Sequence, residues 1–352
     1  MKKYWFFIGL LIVLFIGTIY LNWNFLNKFL IFEQTPNISL IEDQNMLSPK
    51  ASEVSLIAVG DIMLTRGVKT KIVKNGSDYP FLKIKDYLKS GDIVFGNLET
   101  PIASGRAILP GEMLFRSDPG LEKQLKESNF SILSLANNHT GNFGTFGFEQ
   151  TFKYLNEVGI KYVGAGQNKQ EAYSPVWLKV NGITFAFLAY DDIDFTPATY
   201  EASDQSAGIA FMHQANLEEA ITSAKKQADF VIVSMHSGDE YKDFPNQEQI
   251  DFAHAAIDFG AELVIGHHPH VIEPIEQYKG KYIFYSLGNF IFDQMWSLGT
   301  REGIATKITF DKNGIIKIEN SAILIEDYCQ PKIITGLEAE NIFKRLYALI
   351  EN

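Results

Sequence analysis

Residues 260–276 read GAELVIGHHPHVIEPIE, with three of the chain's seven histidines inside four positions. Leu263 to Ile265 is a short apolar run that stops at Gly266, which predicts a buried strand. Gly266-His267-His268-Pro269-His270 then falls at that strand's carboxyl end. Upstream, Gln247 to Phe259 has helical periodicity and stops at Gly260. The helix–strand order around the histidines therefore predicts an α/β unit in which the imidazoles sit on the edge where such folds bind ligands.

The same reading extends outward. Apolar β-rich runs occur at 54–59, 93–95, 132–135, 185–190, 230–235, 263–265 and 282–287. Helical patterns lie at 84–89, 121–128, 146–158, 216–227 and 247–259. Two late strands, 304–310 and 315–318, flank Asp311-Lys312-Asn313-Gly314, a hairpin signal. The runs end on chemistry-bearing residues: Gly60-Asp61, Gly96-Asn97-Leu98-Glu99, Asn137-Asn138-His139, His236 and Gly288-Asn289. Any one of these alone is a turn or cap residue. Together they predict one sheet edge carrying a mixed oxygen and nitrogen donor set, which suits a divalent ion such as zinc, manganese or iron. His213 and His254 fall outside this pattern and are expected to be structural or surface residues.

Composition narrows the function. The 352 residues are 46% apolar and 21% charged, enough for a full core. A formal charge of -11 with scattered lysines and arginines excludes an evident nucleic-acid footprint. Cys329 is the single cysteine, so no internal disulfide is available. Lys2 and Lys3 precede seventeen uncharged residues, 4–20, and apolar character continues to residue 32. That length fits a single transmembrane helix with a cytoplasmic amino terminus and an extracytoplasmic main domain. Residues 33–53 read as a polar linker, 54–330 as the main domain, and 331–352 as a segment whose helix packs on it.

In order, AVGDIML (58–64), GNLETPI (96–102), LANNHTGNFG (135–144), HSGDEY (236–241), GHHPHVIEPIE (266–276) and YSLGNFIFDQ (285–294) resemble the CapA family of poly-γ-glutamate capsule synthesis proteins. The resemblance implies a fold similar to calcineurin-like metallophosphoesterases: an α/β/β/α sandwich of mixed sheets, here preceded by one transmembrane helix. It implies one or two divalent ions held by Asp61, Glu99, Asn138, His236, His267, His268 and His270, with Glu99 in the bridging place. His139 resembles the imidazole that contacts substrate or donates a proton, acting with Asp61 in catalysis. Asn97 and Asn289 are candidates to orient ligands and contact substrate, and Arg116 is a candidate anion clamp. Paired ions would activate water for in-line attack at phosphorus.

Three positions depart from the pattern. Met63 stands where the metallophosphoesterase D-x-H block has histidine, Ser237 where the family often has tryptophan, and Asn142 where an aspartate is common. His267 is a candidate to replace the missing imidazole. Two expectations follow: a membrane-anchored metal-dependent hydrolase or transferase acting on an anionic polymer or phosphoester, or a non-catalytic subunit of a poly-γ-glutamate synthesis and export assembly.

Overall fold

The computed structural model describes residues 53–109 and 111–348. The predicted transmembrane helix and nearly all of the predicted linker lie outside the described residues. Among the described residues no helix is long and apolar enough to cross a membrane.

The strands in chain order are β1 (Val54–Ile62), β2 (Ile93–Leu98), β3 (Ile132–Ser134), β4 (Lys161–Val163), β5 (Ala165–Gly166), β6 (Val176–Val180), β7 (Ile183–Asp191) and β8 (Gly208–Ile209). They continue with β9 (Phe230–His236), β10 (Leu263–His267), β11 (Ile275–Tyr278), β12 (Lys281–Phe284), β13 (Asn289–Ile291), β14 (Glu302–Asp311), β15 (Gly314–Glu326) and β16 (Gln330–Ile333). The α-helices are α1 (Arg66–Asn75), α2 (Lys85–Lys89), α3 (Leu121–Glu127), α4 (Gly144–Glu157), α5 (Lys169–Tyr173), α6 (Gln214–Ala224), α7 (Gln247–Phe259) and α8 (Leu337–Leu346).

Two mixed sheets result. The first runs β16-β15-β14-β1-β2-β3-β4, with β13 also on β1; the second runs β11-β12-β10-β9-β7-β6. Strand periodicity explains how they stack. In β1, Leu56 and Ala58 point into an apolar core shared with Phe185, Phe187, Ile232, Leu263 and Ile265 of the second sheet. Ile57 and Val59 point the other way, against Val68 of α1, Leu125 of α3 and Phe152 of α4. On the far face of the second sheet, Leu188, Val233 and Val264 pack on Leu217 and Ile221 of α6 and Phe252 and Ala256 of α7. The layers are thus helix, sheet, sheet, helix, the order implied by the resemblance. Because the middle of each sheet is covered on both faces, the central strands are largely apolar runs rather than alternating ones. Helix α8 buries Ala339, Ile342 and Leu346 in the inter-sheet core.

Helix α7 shows why some boundaries are readable. Asn246 accepts from the Gln249 amide at 3.0 Å while Gln249 reaches back to Asn246 N at 2.9 Å, a capping box, and Gly260 at φ 118° ends the helix.

Two glycines bring the sheets' edges together at the carboxyl end. A Cβ on Gly266 would lie 1.9 Å from the Tyr285 carbonyl oxygen, and one on Gly60 would lie 1.8 Å from that of Gly288. Residues 285–289 therefore cross from β12, paired with β10, to β13, paired with β1. Gly266→Ala is expected to destabilise the chain by about 1–3 kcal/mol or more, because a backbone carbonyl cannot rotate out of the way as a side chain can. Urea unfolding measures it; wild-type stability in that variant would refute the close approach.

Candidate metal centre

Strand register decides which side chains meet. Leu263 and Ile265 face the inter-sheet core, so His267, two residues further on, faces it as well. His267 is in register with His236 on β9, and His236 with Asp191 on β7. From the first sheet, Asp61 is in register with Asn97 on β2 and with Asn289 on β13. The carboxyl ends of both sheets thus open onto one place.

Asp61 is its hub, wholly buried. One carboxylate oxygen accepts from Asn97 Nδ2 at 2.8 Å and the other from the His268 backbone N–H at 3.3 Å. His267 Nδ1 lies 3.3 Å and His270 Nδ1 3.4 Å from the same carboxylate. Burial by itself would raise its pKa, but the His267 and His270 imidazoles outweigh that and hold the carboxyl well below its usual range. Glu99, also wholly buried, behaves in the opposite way: desolvation, then the Asp61 charge, push its pKa well above the usual value. Neither Glu99 oxygen has a hydrogen-bond partner. Asp61, Glu99 and His270 each present a ligand atom within 4.8 Å of the others.

A second group adjoins it. His236 Nε2 lies 3.2 Å from Asn138 Oδ1 and 3.2 Å from His268 Nδ1. Burial first, then the neighbouring imidazole, lowers the pKa of His236, and burial brings His268 down to about 3. Both rings are therefore neutral at working pH and hold a nitrogen lone pair. The ring of Phe195 stacks on His268 at 3.9 Å.

The residues present fit a divalent cation. An uncompensated buried carboxylate is costly, and Glu99 has two bare oxygens beside a second carboxylate and neutral imidazoles. The tautomer at His270 points the same way. Asn289 Nδ2 donates to the Thr300 carbonyl at 2.9 Å and to Gln294 Oε1 at 3.0 Å, which fixes its Oδ1 as the acceptor for His270 Nδ1–H at 3.0 Å. The lone pair of His270 is then on Nε2, 3.7 Å from Glu99 Oε1.

Each residue singled out in the sequence can now be placed. Asp61, Glu99, Asn138, His236, His267, His268 and His270 come together. Met63 turns its sulfur to the Thr65 amide at 3.2 Å, and the imidazole beside Asp61 is that of His267. Both His267 ring nitrogens are without a hydrogen-bond partner. His139 lies 3.8 Å from Glu99 Oε1 through Nε2 and 3.0 Å from Asn142 Oδ1 through Nδ1. The same Asn142 oxygen accepts from the Phe115 amide at 2.7 Å, so Asn142 orients His139 without supplying a charge. Burial lowers His139 to about 4, and its Nε2 faces the cluster.

Asn97 is fully buried and uses its amide on Asp61, on His236 Nδ1 at 3.2 Å and on Asn137 at 3.0 Å. Asn289 is buried and fully engaged behind His270. Both hold the neighbouring aspartate and histidine side chains in place. Arg116 places its terminal nitrogens on the carbonyls of Ala103 at 2.6 Å and Arg106 at 3.2 Å and on Asp118 at 3.0 Å, so its fork is held within its own loop. Arg66, which the sequence did not single out, is the guanidinium near the cluster. It lies 4.6 Å over the Phe115 ring, which stacks at 3.7 Å on His139, and its charge acts on Glu99. His213 and His254 lie elsewhere, paired with Glu201 at 3.0 Å and Glu276 at 2.9 Å.

Residues 55–294 match the family described as bacterial capsule synthesis protein PGA_cap. The capsule biosynthesis protein CapA of Bacillus anthracis is 33% identical over 307 residues, covering 84% of this chain and 73% of that one. The PGA biosynthesis protein CapA of Bacillus subtilis is 36% identical over 272 residues, 76% and 71% of the two chains. Among solved structures, a hypothetical protein from Thermus thermophilus superposes with a TM-score of 0.50 at 17% identity, covering 76% of this chain and 98% of that one, a likeness of fold alone.

Proposed function

Since the chain belongs to the bacterial capsule synthesis protein PGA_cap family, we propose that it acts in making a capsule-type polyanion, as a metal-dependent hydrolase or transferase on an anionic polymer or phosphoester. The observation that carries the reading is the convergence of Asp61, Glu99 and His270 on one point, with both Glu99 oxygens unpartnered. Asp61, Glu99 and His270, with Asn138, His236, His268 and His267 beside them, would hold one or two cations. A bound divalent cation supplies Lewis-acid activation of water and offsets charge on the attacked group. Asn97 and Asn289 hold His236 and His270 in register, and the His139 Nε2 lone pair accepts a proton at the rim. Arg66, ion-paired with Asp293, borders these acceptors, and a bound cation would itself favour an anionic substrate over a neutral one. Residues 4–32 would anchor the chain with the main domain outside the membrane, where synthase or export subunits are its partners.

The second reading is an assembly subunit without turnover, which the family membership accommodates equally. One experiment separates the two. The full chain is purified without chelator, and bound metal is counted along with hydrolysis of a phosphodiester and shortening of poly-γ-glutamate. Bound manganese, zinc or iron with turnover on either substrate, lost in His236→Ala, supports the enzyme. A metal-free, inert chain that co-purifies with membrane subunits overturns it in favour of the assembly role.

A further inference from the structure

One side chain at the rim has no part in the donor set yet is held there at a cost. Tyr241, in the loop after β9, has φ 65°, and the two histidines it borders, His268 and His270, have φ 100° and 59°. Positive φ is uncommon outside glycine and an outlier for a bulky residue. Such strain costs about 1–3 kcal/mol per residue and persists where the surroundings over-determine it, commonly at functional sites. Here the surroundings are specific: the Tyr241 N–H donates at 2.8 Å to the carbonyl of Pro269, the residue between those histidines.

The strained backbone sets the ring. Its centroid is 6.1 Å from that of His270 at 29° between planes, and Trp296 meets it edge-on at 5.7 Å. The phenol oxygen accepts from Gln294 Nε2 at 3.2 Å. Gln294 Oε1 in turn accepts from Asn289, the amide that orients His270. A phenol has one proton to donate. With its oxygen already accepting, the O–H is what remains for a ligand. The exposed Glu240 carboxylate neighbours the phenol and helps to keep it protonated. Unlike the buried ligand set, Tyr241 is 43% and Trp296 64% exposed, so a molecule arriving from solvent meets this pair first.

We propose that Tyr241 is a substrate-contacting residue, its O–H donating to an anionic oxygen, phosphoryl or carboxylate, of a molecule held over Asp61, Glu99 and His270. The proposal rests on the metal-site reading above. Its test is Tyr241→Phe in the full chain, which removes only the hydroxyl, with three readouts: bound metal, melting temperature, and affinity for inorganic phosphate in one arm and a γ-linked glutamate oligomer in the other. The expected result is unchanged metal and melting temperature with affinity weakened about tenfold or more in at least one arm, as befits a lost hydrogen bond to a charged group. The arm that weakens tells which anion the hydroxyl serves. Unchanged affinity in both arms, or a loss matched by lost metal or lost stability, overturns the proposal while leaving the metal reading intact. A wild-type chain that binds no metal overturns both.

Discussion

Asp61→Ala is expected to strip the chain of its cation. Losing a partner that merely orients a ligand typically weakens metal affinity about 10–100-fold, the range expected for Asn289→Ala. Asp61 should exceed it, because this one carboxylate gathers Asn97, the His268 amide and the His267 and His270 imidazoles. Its removal takes away a donor and also frees the side chains that it aligns. Competition against a graded chelator, read by metal analysis, measures both variants on one scale. Wild-type affinity in Asp61→Ala would remove the basis for a metal centre here.

The second large effect is on stability. Adding cation at about a thousand times its dissociation constant should stabilise the fold by about 4 kcal/mol, roughly 6 °C in melting temperature for a domain of this size. The size should depend on pH through Glu99. Its folded-state pKa is raised above the ordinary 4.5, so between those values the folded chain binds more protons than the unfolded one. Without cation, that contribution to stability is complete below about 4.5 and is lost as pH rises through the folded value. A bound cation offsets the ionised carboxylate and removes the loss. Chelation should therefore lower the melting temperature more at about pH 8 than at about pH 5, and Glu99→Gln should flatten the difference. An equal effect of chelation at both pH values, in wild type and variant alike, would show that Glu99 does not face the cation.

Much of this is legible from local pattern. Helix α7 is readable at both ends because its cap chemistry is written in Asn246, Gln249 and Gly260. The central strands are readable because burial on both faces leaves continuous apolar runs. Helix α1 is not, since RGVKTKIVKN buries only Val68 and shows no apolar stripe. Edge strands such as β6, half-buried, lack the signal of the core strands. The partners of Arg116 are not readable, because what engages a guanidinium, here backbone carbonyls of its own loop, leaves no trace in residue identity. Arg66 and Tyr241 stay hidden for a related reason: their positions depend on backbone angles of 50° and 65° that no propensity encodes. That donors from distant blocks share a point follows from the strand-end pattern and the family likeness jointly; the register of the two sheets supplies the physical cause.

The division of the donors between the sheets bears on how the protein matures. Asp61 and His268 touch across 207 positions of chain, the first from the opening strand and the second from a late one. A ribosome has delivered most of the polypeptide before the second half of the coordination set exists, and Asn289 emerges later still. Any loading with cation would consequently be a terminal event in biogenesis, since a prematurely terminated product would lack the late half of the donors.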